Sequence, residues 1–148
     1  MDDDEAETLG RRALSAGFRW GVEGALYRTG AEPQEEWRCF AADDGDGLGP
    51  WFVSGEGDVY GAEEESAPLA MIFNPWPDFR DAATIGVLVE QVRERWGQPM
   101  HSAPALTVPR RTVCEWRVWS ASGLNRYWAG ATEAEAWVAA LESCEPSA

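Results

Sequence analysis

The sequence contains no lysine and only one histidine, and these two scarcities exclude more chemistry than any residue present suggests. Without Lys there is no phosphate-binding loop of the G-K-[ST] kind, no Schiff base and no lysine nucleophile. One histidine, His101, excludes multi-histidine metal centres. A Ser/His/Asp arrangement would depend wholly on it, and no G-x-S-x-G is present to supply the nucleophile. His101 follows Pro99-Met100, in a stretch that reads as a solvated loop. Cysteine is scarce as well. Cys39, Cys114 and Cys144 are odd in number and form no C-x-x-C pair, against both a disulfide framework and a zinc site. Long apolar runs are missing: LAMIF at 69–73 is far too short to span a bilayer. The opening MDDDEAE is the reverse of a signal peptide, so a soluble cytoplasmic protein is expected, without metal or cofactor.

What the chain does have is negative charge. Its net charge is -14, and all twelve basic residues are arginine, as a GC-rich genome tends to write them. At 148 residues, 45% hydrophobic and 26% charged, the chain is expected to fold as a single domain, 1–148, with a real core. The charge is uneven. Residues 1–65 hold seventeen acids against five arginines, a net of -12, while residues 66–148 come to -2. Such a field repels nucleic acid and anionic membranes, which excludes direct nucleic-acid and membrane partners and favours a basic protein.

The acidic loop DDGDGLGPWFVSGEGDVYG invites a calcium reading through Asp43, Asp44, Asp46 and Asp58. It fails the EF-hand spacing: counted from Asp44, Leu48 falls where a ligand is wanted and Gly55 takes the final Glu position. Its glycines make no phosphate cradle, because no helix follows and the local charge is negative. Paired carboxylates such as Asp78 and Asp81 read as capping residues at a helix start.

The pattern along the chain predicts an α+β fold, an antiparallel sheet (a β-meander plus a β-hairpin) covered by about three helices. Residues 4–16 read as an amphipathic helix, weakened by Gly10 and closed by Gly17. GFRWGVEGALYRTG reads as a hairpin or two short strands, with Phe18 and Trp20 on one face and Leu26 in the return. EEWRCFA (35–41), WFV (51–53) and DVY (58–60) form a meander cut by glycines, and 69–73 a buried strand or lead-in. NPWPDFRD reads as an extended linker. Asp81 then caps a helix whose apolar face is Ile85, Leu88, Val89, Val92 and Trp96, ended by Gly97 and Pro99. TVCEWRVWSA (112–121) and RYWAG (126–130) pair as a hairpin, with Val113, Glu115, Arg117 and Trp119 on one face. Thr132 and Glu135 open a last helix in capping-box spacing, with Trp137, Ala140, Leu141 and Cys144 inward. The near-neutral half, 66–148, is thus an α-ββ-α arrangement.

Nine tryptophans are several times the usual number, and packing accounts for most. Trp51, after a proline, and Trp76, between two, read as exposed beside acids, which suits a protein-binding surface.

Three segments, GFRWGVEGALY, PDFRDAATIGVLVEQVRERWG and ATEAEAWVAALES, resemble small uncharacterised proteins of bacteriophage and prophage genomes. The chain is similar to the group called the phage ABA-sandwich domain. The resemblance implies helix layers on both sides of a sheet, a phage origin and therefore the host cell's cytoplasm. Residues 32–66 depart from the pattern, which makes the acidic insert the place for a specialised role.

The first functional expectation is a non-enzymatic accessory protein that binds a basic, nucleic-acid-binding host protein through a nucleic-acid-mimicking surface. That surface comprises Asp43, Asp44, Asp46, Glu56, Asp58, Glu63, Glu64 and Glu65 with Trp51 and Trp76. An anti-CRISPR-like inhibitor of a defence nuclease is one specific form. The alternative is a module that binds or sequesters a nucleotide-like small molecule through Arg110, Arg111, Arg117 and Arg126 with Trp119 and Trp128.

Overall fold

The structure, a computed structural model, describes residues 1–19, 21–29, 35–41, 50–55, 57, 59–61, 74–106, 112–120 and 126–144. Among them the chain forms α1 (Asp3–Ser15), β1 (Leu26–Arg28), β2 (Glu36–Ala41), β3 (Trp51–Ser54), β4 (Val59–Gly61), β5 (Trp76–Pro77), α2 (Ala82–Trp96), β6 (Met100–Leu106), β7 (Val113–Ser120), β8 (Tyr127–Gly130) and α3 (Glu133–Glu142). The class is α+β, and every strand pair is antiparallel. The strands make two sheets rather than one, in the orders β4-β3-β2-β1-β5 and β6-β7-β8. The chain falls into two compact units: Met1–Ser15 with Arg19–Val87, and Ala16–Phe18 with Leu88–Ala148. No helix among the described residues is long and apolar enough to cross a membrane.

In the first unit the glycine-cut meander forms as its spacing predicts, β1 to β4 in succession. The expected first strand near residue 18 does not form. Gly21 and Gly24 both take positive φ (73° and 93°), and the backbone turns there instead. Tyr27, not Leu26, points into the core, where its hydroxyl accepts from Gly21 N (3.1 Å) and donates to the Arg19 carbonyl (3.2 Å). Trp20 and the segment 69–73 lie outside the described residues.

Trp76 corrects an expectation. It is fully buried rather than exposed, because the two flanking prolines leave the backbone extended and β5 adds to the free side of β1 as an edge strand. Its indole Nε1 has no hydrogen-bond partner among the described residues. An unpartnered buried N–H costs roughly 1–3 kcal/mol. Burying an aromatic ring of roughly 200 Å² returns roughly 5 kcal/mol, so the ring stays inside. Gly10 then has its explanation. A Cβ there would press on the Pro77 carbonyl oxygen, well inside the 3.0 Å that real Cβ atoms respect, and meet Trp76 at 3.2 Å. The glycine that weakens α1 as an isolated helix lets it lie against β5.

Asp81 caps α2 as expected, accepting from Thr84 N (3.0 Å), and Gly97 closes it at φ 64°. The buried face is Thr84, Val87, Leu88, Gln91 and Val92, one step round from the apolar set, whose Ile85, Val89 and Trp96 are half-buried. Thr84 is tolerated there because its Oγ1 accepts from Leu26 N (2.8 Å) and donates to Asp81 (2.8 Å).

In the second unit the polar, proline-punctuated stretch is a strand, not a loop. β6 pairs with β7 from Met100↔Ser120 to Leu106↔Val113, and Pro104 is accommodated because β6 is an edge. His101 is therefore on a strand. Thr132 Oγ1 accepts from Glu135 N (3.2 Å), and the Glu135 carboxylate accepts from Ala131 N (2.8 Å), a capping box displaced by one residue. Six of the ten residues of α3 are buried, Trp137 and Leu141 the largest of them. At Gly130 a Cβ would lie 2.5 Å from Glu135 Cβ and 2.6 Å from Ala136 N, so β8 meets α3 backbone to backbone. Trp96 Nε1 donates to the Ala140 carbonyl (3.1 Å), and its ring lies 5.0 Å from that of Trp128.

Candidate functional site

Alternation along the strands gives each sheet a buried and an open face. In the five-stranded sheet Tyr27, Trp37, Cys39 and Phe52 point inward. The other parity (Arg28, Glu36, Arg38, Phe40, Trp51, Val53, Val59) faces out, where Leu26↔Arg38 and Arg38↔Val53↔Val59 share a register line.

One end of that outer face is an ion-pair lattice. Arg28 reaches Glu36 across the ladder (2.5 Å) and donates from Nε to Asp78. Asp78, its side chain 2% exposed, also accepts from Arg80 N, Nε and NH2 (3.0, 2.9 and 2.9 Å), and Arg80 continues to Asp3 (2.7 Å). Burial alone would push the Asp78 carboxyl up. The bonds from Arg80 and Arg28 outweigh it and hold the group below the ordinary carboxylate value. Arg38 clamps Asp81 in a two-point pair (3.1 and 2.9 Å) and donates to the Gly24 carbonyl (2.9 Å). That pairing lowers the Asp81 carboxyl against its partial burial. These acids therefore do more than cap: they tie α1, β1, β2 and the start of α2 together. Every carboxylate here faces an arginine, which suits a structural lattice and leaves no base poised for proton transfer.

The other end of the face is apolar and open. Phe40 is 47% exposed, Trp51 36% and Val59 57%. Phe40 faces outward by the same alternation as Glu36 and Arg38, and the register shifts beside it, between Cys39 and Ala41. Trp51 is thus placed as expected, and Phe40 and Val59 join it. The signal for Phe40 was present in EEWRCFA, whose alternation has apolar residues of both parities. Of the expected partner-binding acids, Asp43, Asp44, Asp46, Glu56, Asp58, Glu63, Glu64 and Glu65 all lie outside the described residues. In sequence, 43, 44 and 46 join β2 to β3, 56 and 58 join β3 to β4, and 63–65 follow β4.

The arginine–aromatic set of the alternative reading is divided by the second sheet. Arg117 and Trp119 share its outer face, whereas Trp128 has the opposite parity, where its Nε1 donates to Ser143 Oγ (2.7 Å) under α3. Arg126 lies over the Trp128 ring at 5.1 Å. Arg110 and Arg111 lie outside the described residues. The outer face gains two aromatics that sequence reasoning did not include, His101 and Tyr127.

By charge the two units differ sharply. The first carries nineteen acids and six arginines, a net of -13, and the second seven acids and six arginines, a net of -1. Compared with protein-family models, with curated proteins and with solved structures, the chain matches none.

Proposed function

We propose that the chain is a non-enzymatic accessory protein that docks a basic, nucleic-acid-binding host protein in the place nucleic acid would occupy. The observation that carries this reading is an exposed apolar face, Phe40, Trp51 and Val59, within a unit of net charge -13. Aromatic side chains at the centre of a contact supply affinity by desolvation, and a like-signed rim supplies steering and partner choice. A basic channel complements both. The absence of lysine and the single histidine support a binding role over catalysis. The resemblance of the helical segments to phage and prophage proteins supports a bacterial host as the source of the partner. An anti-CRISPR-like block of a defence nuclease is the specific form this reading takes.

The test is a pull-down of the tagged chain from host lysate, washed at low and at high salt, followed by DNA-binding assays on the protein retained. A basic protein held at low salt, released at high salt and unable to bind DNA while the chain is present is the expected result. Two variants separate the parts. Phe40→Ser with Trp51→Ser removes the apolar centre, and reversal to Lys at Asp43, Asp44, Asp46, Glu63, Glu64 and Glu65 removes the rim. Each should weaken capture by about tenfold or more. Capture indifferent to both sets, or a partner that still binds DNA when captured, refutes the reading.

A further inference from the structure

The outer face of the β6-β7-β8 sheet carries an aromatic row that folding does not require. His101 of β6 is the register partner of Trp119 of β7, which is the register partner of Tyr127 of β8. One ring from each strand therefore stands side by side across the sheet, at the usual strand spacing of about 4.8 Å. The rings of His101 and Trp119 have centroids 6.2 Å apart. His101 is exposed, Tyr127 is 51% exposed and Trp119 is half-buried, so much of this aromatic surface stays in water. The core of the unit is built on the other parity, by Met100, Val118 and α3.

A cation completes the row. Arg117, two residues before Trp119, holds its guanidinium 4.4 Å from the Tyr127 ring centroid. Its Nε donates to Glu115 at 2.6 Å, and its two terminal amino groups have no partner among the described residues.

The geometry points to a binding face for short single-stranded nucleic acid, with bases stacked on His101, Trp119 and Tyr127 and a phosphate on Arg117. Stacking is tolerant of sequence because every base has a π face, and an open sheet with aromatics on neighbouring strands is a sufficient platform for it. Three rings in series favour a ligand that carries bases in series, whereas a single nucleotide engages one ring and wants an enclosing cavity. Charge permits such a ligand here and opposes it on the first unit. The second unit is at -1, and on this face Arg117 stands against Glu115, so no net negative charge faces the ligand. The general exclusion of nucleic acid drawn from the whole-chain charge is thus an average over two unlike units. The inference is independent of the docking face of the first unit, and either can fail alone.

The experiment is fluorescence anisotropy of labelled oligothymidylate and oligouridylate octamers, titrated with the full chain at low salt. Saturable binding is expected. Trp119→Ala and Tyr127→Ala should each weaken it by about tenfold. Trp119→Phe should keep most of it, because a ring remains, and Phe40→Ser with Trp51→Ser should leave it unchanged. Unlabelled octamer should displace the probe at far lower nucleotide concentration than thymidine monophosphate does. No saturable binding overturns the inference. So does equal competition by the monophosphate, or binding unaffected by both alanine variants.

Discussion

Two glycines inside helices should respond to the same substitution with opposite sign. Gly86 lies in α2, exposed, and a Cβ built on it meets nothing within 4 Å. Gly86→Ala therefore gains only what helix propensity and reduced unfolded-state freedom supply, about 0.4–1 kcal/mol. Gly10 lies in α1 with the same intrinsic gain on offer, but its added Cβ would strike the Pro77 carbonyl oxygen and touch Trp76 at 3.2 Å. Neither neighbour can yield cheaply: one is backbone held in the β1–β5 ladder, and the other is a fully buried indole. Overpacking of this kind costs roughly 1–3 kcal/mol, so Gly10→Ala should be destabilising by about 1–2 kcal/mol after the propensity gain. The two variants should then differ by about 1.4–3 kcal/mol. Urea unfolding followed by far-ultraviolet circular dichroism measures it, with the slope checked for constancy so that the midpoint reports stability. By heat the separation should be about 3–12 °C at this chain length. Gly10→Ala as stable as the parent, or Gly86→Ala less stable, would refute the packing of α1 on β5 as the reason for the glycine.

Asp78→Ala should cost about 1–3 kcal/mol, because it removes the buried acceptor shared by Arg28 and Arg80 and leaves them only Glu36 and Asp3, and chemical denaturation checks it. Since the Asp78 carboxyl is held below its ordinary 3.8, its contribution is complete above that pH and is lost as pH falls through its own lower value. The parent should therefore lose more stability on acidification below about pH 4 than Asp78→Ala does, and parallel profiles would count against the assignment. Thr84→Val keeps the shape but removes the acceptor for Leu26 N and the donor to Asp81, and a loss of about 1–3 kcal/mol in the same unfolding assay is expected.

The helices were the most legible part of the sequence, because their ends are written in local chemistry. Asp81, Thr132, Gly17 and Gly97 sit where caps must, and the structure places helix boundaries beside each. The meander was legible through its glycines. What sequence could not show was decided by partners distant along the chain. β6, with the sequence MHSAPAL, has few β-formers, and it is a strand because seven of its residues find partners in β7. Trp76 was misplaced because prolines report backbone shape and not burial, and an edge strand and an exposed linker need the same φ. The face of α2 was rotated by Thr84, whose polarity hides a side chain with both hydrogen-bonding roles satisfied. Of the candidate sites, Trp51 was legible from the residues around it. The row His101, Trp119 and Tyr127 was not, since only the register of three strands brings it together.

The position of β5 has a consequence for how the first unit is made. During synthesis α1 and the strands β1 to β4 leave the ribosome long before residues 76–80, yet α1 rests on β5, Arg28 meets its buried partner only in Asp78, and Asp3 meets Arg80. Until those residues emerge, β1 shows a bare edge and the first-made helix has no seat. The unit is thus closed by the last strand to be made, like a hoop whose clasp is at the far end of the strip. Chains stalled or cut before that point would present an unpaired edge strand and the apolar side of α1 together, the combination from which misassembly and proteolysis begin.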